Sequence, residues 1–309
     1  FNPSLDVAGE PSFSFTATIT DADGDVDADT HTITITDGAN PQDAATQSVT
    51  LDEDDLPDGS STNVPALTQV ATLAFTAGSD TLGSFVFTGI GGLDTDANDG
   101  TAGGTIVWVM SPGDREIKGY VNGDAMTGQL AITLTLGGAT SIDPNLAGNV
   151  TVTVTLADNF ANIFADNLQT SFDLGSVTVQ GSDGDDTVTG VVNVTVIDDV
   201  PSVEIAPAVA DDTPATDTVA ENGANLSGAI TLVEGADQDA TLVISGTGFA
   251  DMSFTLNGAA DVTLVRTVMN GPDELGVLSV TVNAGGAASW TFNPSLDVAG
   301  EPSFSFTAT

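Results

Sequence analysis

Cysteine is missing from all 309 residues, and histidine occurs once, as His31. The first absence removes disulfides, thiol nucleophiles and thiolate metal sites, and with a single histidine there is no donor set for zinc. Basic residues are nearly as scarce. Arg115, Lys118 and Arg266 stand against 44 acidic residues, and the formal net charge is -41. Phosphate backbones and anionic bilayers repel such a chain, so nucleic acid and direct membrane contact are excluded as partners. No apolar run reaches the roughly 18 residues of a membrane-spanning helix, and no signal peptide opens the sequence, as expected for a stretch taken from inside a longer protein. Aromatic residues suited to a sugar-stacking platform are few, with two Trp and one Tyr.

What the chain does have is apolar residues in strict alternation. They make up 40% of the composition, enough to bury a core despite the charge. Phe13, Phe15, Ala17 and Ile19 alternate with Ser and Thr, as do Leu130, Ile132, Leu134 and Leu136, and Val150, Val152, Val154 and Leu156. A period of two predicts half-buried antiparallel strands. Turn clusters such as NGD at 122–124 and NAGG at 283–286 separate them at hairpin spacing. The fold class expected is all-β, as tandem immunoglobulin-like antiparallel β-sandwiches that bind calcium. The one short helical candidate is NFANIFADN at 159–167. Trp108, Trp290 and Phe292 read as core, and His31, on the parity of Ile33 and Ile35, as a packed or edge residue rather than a general base.

The first 18 residues, FNPSLDVAGEPSFSFTAT, recur letter for letter at 292–309. The repetition predicts a natural period of 291 residues, of which this chain covers one plus an overlap. Three segments follow from composition and junctions: 1–39 as the C-terminal part of a split sandwich, 46–199 as a complete one, and 200–309 as the N-terminal part of the next split sandwich. Neighbouring copies of the repeat are therefore the expected partners. Residues 19–38 are expected to complement 200–309 of another chain by strand addition, head to tail.

Chemistry is concentrated in aspartate. Asp21, Asp23, Asp25, Asp27 and Asp29 alternate through TDADGDVDAD, and such crowding is relieved by a hard cation, for which calcium suits an all-oxygen donor set best. The competing reading is a solvated acidic turn. The motif lacks the position-12 Glu and flanking helices of an EF-hand. GSDGDDTVT at 181–189 aligns Asp183-Gly184-Asp185 with Asp23-Gly24-Asp25, and Asp186 extends it. It is a single copy of a pattern that a β-roll would need many times. Acidic junctions form a second class: Asp37 in ITDGANP, Asp198 and Asp199 in VIDDVP, and, opening the following segments, Asp52 and Asp54 in LDEDDLPDG and Asp211 and Asp212 in ADDTPATDTVAENG. A loop carrying Asp94, Asp96 and Asp99 is a third candidate, with Asp237 and Asp239 weaker. No carboxylate pair is marked out for catalysis, and no enzymatic activity is expected.

Joined across the repeat, GVLSVTVNAGGAASWTF, DVAGEPSFSFTATITDADGD and HTITITDG resemble the VCBS-type and Bap-like sandwich repeats of bacterial surface proteins. SVTLDEDDLPDG resembles the opening of another tandem domain common in giant RTX adhesins. The resemblance implies an extender: calcium-stiffened sandwiches in series on the bacterial cell surface, holding a ligand-binding tip outward for adhesion or biofilm formation. It further implies type I export, with the export signal and RTX array near the C-terminus of the larger protein. It places calcium on Asp21, Asp23, Asp25, Asp183 and Asp185, with Asp37, Asp198 and Asp199 following by position. The alternative is a surface- or carbohydrate-binding β-sandwich module, which would require an exposed aromatic or polar platform.

Overall fold

The computed structural model describes residues 1, 10–60, 67–95, 105–121, 123–160, 171–208, 216–236, 240–258 and 260–309. These residues are built of β-strands, and the only helical element among them is a 3-10 turn at Glu53–Asp55. The helical candidate at 159–167 lies outside them beyond Phe160. Two compact units emerge, Phe1–Asp52 with Pro65–Ile197, and Glu53–Val64 with Asp198–Thr309.

The first unit contains β1 (Ser12–Thr20), β2 (Val26–Thr34), β3 (Gln47–Asp52), β4 (Thr68–Thr76), β5 (Leu82–Phe87), β6 (Val107–Met110), β7 (Glu116–Val121), β8 (Gln129–Gly138), β9 (Ser141–Ile142), β10 (Ala147–Leu156), β11 (Ser171–Ser182) and β12 (Thr187–Ile197). Ten of these strands form two five-stranded sheets, ordered β4-β10-β8-β7-β6 and β3-β12-β11-β5-β9. The alternation read from sequence becomes the buried face of each sheet. Val150, Val152 and Val154 of β10 and Val192, Val194 and Val196 of β12 have no exposed surface. Phe75 of β4 and Phe85 of β5 meet with ring centroids 5.2 Å apart, so the two apolar faces pack on each other. Gly190 permits part of that approach, because a Cβ there would stand 3.0 Å from the Leu73 and Phe75 side chains. Burying each such Leu or Phe contributes about 1.5–3 kcal/mol, which drives the layering.

Two features depart from the expected half-buried antiparallel strands. One is β3, which pairs parallel to β12, from Gln47 beside Val192 to Asp52 beside Ile197. β3 and β12 are linked through β4 to β11 rather than by a tight hairpin, so no turn imposes antiparallel order on them. The other is the β1–β2 hairpin, paired in register from Ser12–Thr34 to Thr20–Val26 but belonging to neither sheet. Every residue of β1 is exposed, with Phe13 at 40%, Phe15 at 54% and Ile19 at 71%. Its alternation is that of a buried face, but no second layer covers it among the described residues.

The second unit contains β13 (Ser202–Ile205), β14 (Leu226–Val233), β15 (Thr241–Gly246), β16 (Met252–Thr255), β17 (Val262–Asn270), β18 (Asp273–Val282), β19 (Ala288–Pro294) and β20 (Phe306–Ala308). A five-stranded sheet, β13-β14-β19-β18-β17, accompanies a three-stranded one, β16-β15-β20. Ile230, Ile244, Phe254, Leu278, Val280, Trp290 and Phe292 form its core. Trp290 packs edge-on to Phe306 at 5.5 Å, and its Nε1 donates to the Ala206 carbonyl at 2.9 Å. Trp108 is also buried, so all three expected core aromatics are inside.

Candidate metal centres

Two hairpins carry the Asp-Gly-Asp device. At the first, between β1 and β2, Gly24 takes φ +99°, and the Asp21 N–H donates to the Asp25 carbonyl at 3.0 Å. The Asp21 carboxylate accepts from the N–H groups of Gly24 and Asp25, at 3.0 and 2.9 Å, which fixes it over the turn. Asp21, Asp23 and Asp25 thereby present carboxylate oxygens within 4.8 Å of one another, all exposed. The Asp21 carboxyl is held below the ordinary carboxylate range, first by a hydrogen bond with the Asp23 side chain and then by the Asp25 amide.

Asp27 and Asp29 do not join that group. They lie on β2, opposite Ile19 and Ala17, and their carboxylates accept from the next residue's N–H. Every second residue along a strand lies about 6.6 Å further on, which carries these side chains away from the turn.

The second hairpin joins β11 to β12, with Gly184 at φ +121° and the Asp183 carboxylate accepting from the Asp186 N–H at 2.8 Å. Its cluster is assembled differently, by Asp37, Asp80 and Asp185, whose oxygens again fall within 4.8 Å of one another. Asp37 was expected to act at a junction and Asp185 at a turn, but the structure brings them to one place. Asp80 was not anticipated from sequence, because GSDT at 78–81 reads as an ordinary turn. It is only 3% exposed.

What joins these residues is the close approach of segments 37–40 and 78–80. The Ser79 N–H donates to the Ala39 carbonyl at 2.7 Å, and a Cβ on Gly38 would stand 2.5 Å from the Ser79 side chain. Asp43 ties the same segment to β12 by accepting from the Thr189 N–H at 2.6 Å. The Asp186 carboxyl feels the cluster: burial first, then repulsion from Asp183, Asp185 and Asp37, push its pKa up.

The junction acids of the second unit are buried rather than displayed. Glu53 is 2%, Asp55 8% and Asp199 5% exposed. Asp199 accepts from the Ser60 N–H at 2.7 Å and from its hydroxyl, while Gly235, at φ +77°, passes so close that a Cβ would meet the Asp199 carbonyl at 2.7 Å. Burial, followed by the neighbouring Asp54 charge, raises the Asp55 pKa. Asp52 closes β3 opposite Ile197, and Asp54 and Asp198 are half-buried. Asp94 is exposed, and its carbonyl accepts from Trp108 Nε1. Asp96, Asp99, Asp211, Asp212, Asp237 and Asp239 lie outside the described residues.

All three basic side chains are engaged away from these acids. Arg115 donates to the Phe85 and Leu136 carbonyls, Arg266 to those of Ala250, Val265 and Asp251, and Lys118 pairs with Glu116 at 2.8 Å. Hydrogen bonds can satisfy the buried oxygens of Asp55, Asp80 and Asp199. Burying a carboxylate's charge is costly unless it is paired, protonated or bound to a cation.

A pH dependence follows. For Asp186 and Asp55 the folded pKa is raised, so their contribution to stability is fully present below the unfolded carboxylate value and is lost as pH rises through the folded pKa. In chelator, the melting temperature should therefore rise on acidification from about pH 7 toward pH 5, above the ordinary carboxylate pKa of about 4. Asp21 and Asp124, whose pKa values are lowered, reverse the trend only below that range. Asp186→Asn should reduce the gain. A melting temperature that falls between these pH values would contradict the assignment.

A cavity of about 360 Å³ in the second unit is lined by Glu234, Phe254, Asn257 and Asn283 among others, with Glu234 its one carboxylate. Phe254 is 2% exposed and offers no stacking surface there. No protein-family model matches the chain, and a search of curated proteins returned no match.

Proposed function

We propose that this chain is a structural extender of a bacterial surface adhesin, a calcium-bound, immunoglobulin-like sandwich module that repeats in tandem and carries a distal ligand-binding region away from the cell. In this reading calcium occupies the acidic turns and engages the junction acids, and the surplus negative charge keeps the exported chain soluble and slow to aggregate. The observation that carries it is the convergence of Asp37, Asp80 and Asp185 from three separate segments, with carboxylate oxygens within 4.8 Å of one another. The exact 18-residue repetition supports a spacer over a ligand-reading module, since a spacer gains from every added copy and a reader does not. Extracellular calcium, at millimolar levels, matches the roughly 0.1–1 mM affinities typical of extracellular calcium modules.

Small-angle scattering with and without chelator tests the mechanism. The radius of gyration should increase in chelator, as uncompensated carboxylates repel and loosen the turns. An unchanged profile would remove calcium from the mechanism.

A further inference from the structure

The cavity of about 360 Å³ in the second unit is walled by both of its sheets. Val262 and Val282, paired across β17 and β18, come from the five-stranded sheet, and Phe254 of β16, with Leu256 just beyond it, from the three-stranded one. Glu234 enters directly after the last residue of β14. Phe254 and Val282 are buried, whereas Asn257, Ala284 and Gly285 are exposed, so the cavity has an apolar floor and an open rim. The two turns of that rim touch. A Cβ on Gly258 would stand 3.3 Å from the Ala284 carbonyl oxygen, and the Ala284 N–H donates to the Asp261 carboxylate at 2.8 Å.

Glu234 is the anomaly in this cavity. It is half-buried and the only charged residue of the lining, and its Oε2 is closed off from solvent with no hydrogen-bond partner among the described residues. Such an acceptor is costly to leave unsatisfied, and a carboxylate against hydrocarbon more so. Arg266, the only basic residue of this unit, is bonded to the carbonyls of Ala250, Val265 and Asp251. Compensation can still reach the carboxylate from the cavity side.

The geometry points to a binding site for a small primary alkylammonium group, with its nitrogen on Glu234 and its methylenes along Phe254, Leu256, Val262 and Val282. The walls select this chemistry. Calcium takes about six to eight oxygens, which a cavity lined by these four side chains and one carboxylate does not offer. A guanidinium bonds best to two carboxylate oxygens side by side, and Oε2 is shut off. An ammonium is a compact point charge that one oxygen can hold, and Asn283 adds a further acceptor to the lining. The volume lies near the lower end of the roughly 300–1,000 Å³ of small-molecule sites, which suits a chain of lysine length. A free aliphatic amine and the lysine side chain of a partner present the same group, and the net charge of -41 draws either one in. The inference does not rest on the calcium reading and is tested at one fixed calcium concentration.

Titration of the full chain with pentylamine, followed through its amide NMR spectrum at constant ionic strength, should shift the signals of residues 254–262 and 282–286 before any others. Affinity in the roughly millimolar range is expected of so small a ligand. Pentanol, which has the same body without the charge, should bind about tenfold more weakly or worse. Glu234→Gln keeps the shape of the side chain and removes a charge, and it should weaken pentylamine by about tenfold or more, as loss of one partner of a desolvated charge pair does. Glu274→Gln takes the same charge from an exposed position of β18 and should leave the affinity unchanged.

Nα-acetyl-lysine methylamide separates the two sources. Affinity comparable to that of pentylamine assigns the site to a partner's lysine, and absence of binding assigns it to a free amine. Shifts spread over the acidic surface, equal binding of pentanol, or an affinity unchanged by Glu234→Gln would each overturn the proposal. The comparison with pentanol needs no variant, so it holds whatever the substitutions do to folding.

Discussion

Transfer of the protein from about 10 mM calcium into chelator is expected to cost the first unit about 3–5 kcal/mol of stability. Sites of roughly 0.1–1 mM affinity each contribute RT ln(1 + [L]/Kd), or about 1.4–2.7 kcal/mol at that concentration. Two candidate clusters for such sites, Asp21 with Asp23 and Asp25, and Asp37 with Asp80 and Asp185, both belong to this unit. For a unit of this size, each kcal/mol moves the melting temperature by about 2–4 °C, so a fall of about 6–20 °C should be visible by calorimetry. Magnesium should restore little of it, because it demands near-octahedral geometry and gives up its waters reluctantly. The necessary control is sodium chloride at matched ionic strength, since a chain of net charge -41 is stabilised by screening alone. If sodium chloride restores the melting temperature as well as calcium does, no specific site is present.

The part of this architecture that was legible in sequence is the part governed by a period of two. Val150, Val152 and Val154 declared a strand with one buried face, and the structure buries all three. The alternating Trp290 and Phe292 declared a core, and both are inside. Alternation specifies that a face wants covering but not what covers it. Phe13 and Phe15 therefore read as half-buried, although they stand exposed in the hairpin.

The acidic clusters divide along a similar line. Asp21, Asp23 and Asp25 meet through a local turn, and the spacing of a local turn is written in the sequence. Asp37, Asp80 and Asp185 meet because two loops and a hairpin converge from distant parts of the chain, held by bonds such as that between Ser79 and Ala39. Nothing in the letters around Asp80 distinguishes it from an ordinary turn residue. Asp27 and Asp29 show the reverse: they share the spacing of the turn residues, but on a strand that spacing carries side chains away from the turn.

Asp80→Asn should change sign with calcium, and that reversal separates a metal site from a hydrogen-bonding role. Asp80 is 3% exposed, and one of its carboxylate oxygens lies within 4.8 Å of an oxygen of Asp37 and of Asp185. At such a separation two ionised groups repel by about 3 kcal/mol at an effective dielectric constant of about 20, and exposure of the Asp185 side reduces the net effect. In chelator, the isosteric amide removes one buried charge and two repulsions, so the variant should be more stable than the parent by about 1–2 kcal/mol. In calcium the same change deletes a charged ligand, and the variant should lose most of the roughly 1.4–2.7 kcal/mol that the site contributes. Parent and variant melting curves should therefore cross as calcium is titrated in, at a concentration near the affinity of the site. Destabilisation of equal size in both conditions would mean that Asp80 serves as a buried hydrogen-bonding group and that the three carboxylates hold no ion. Asp27→Asn, on the same chain but outside both clusters, should shift neither curve beyond a few tenths of a kcal/mol, as expected for an exposed surface position.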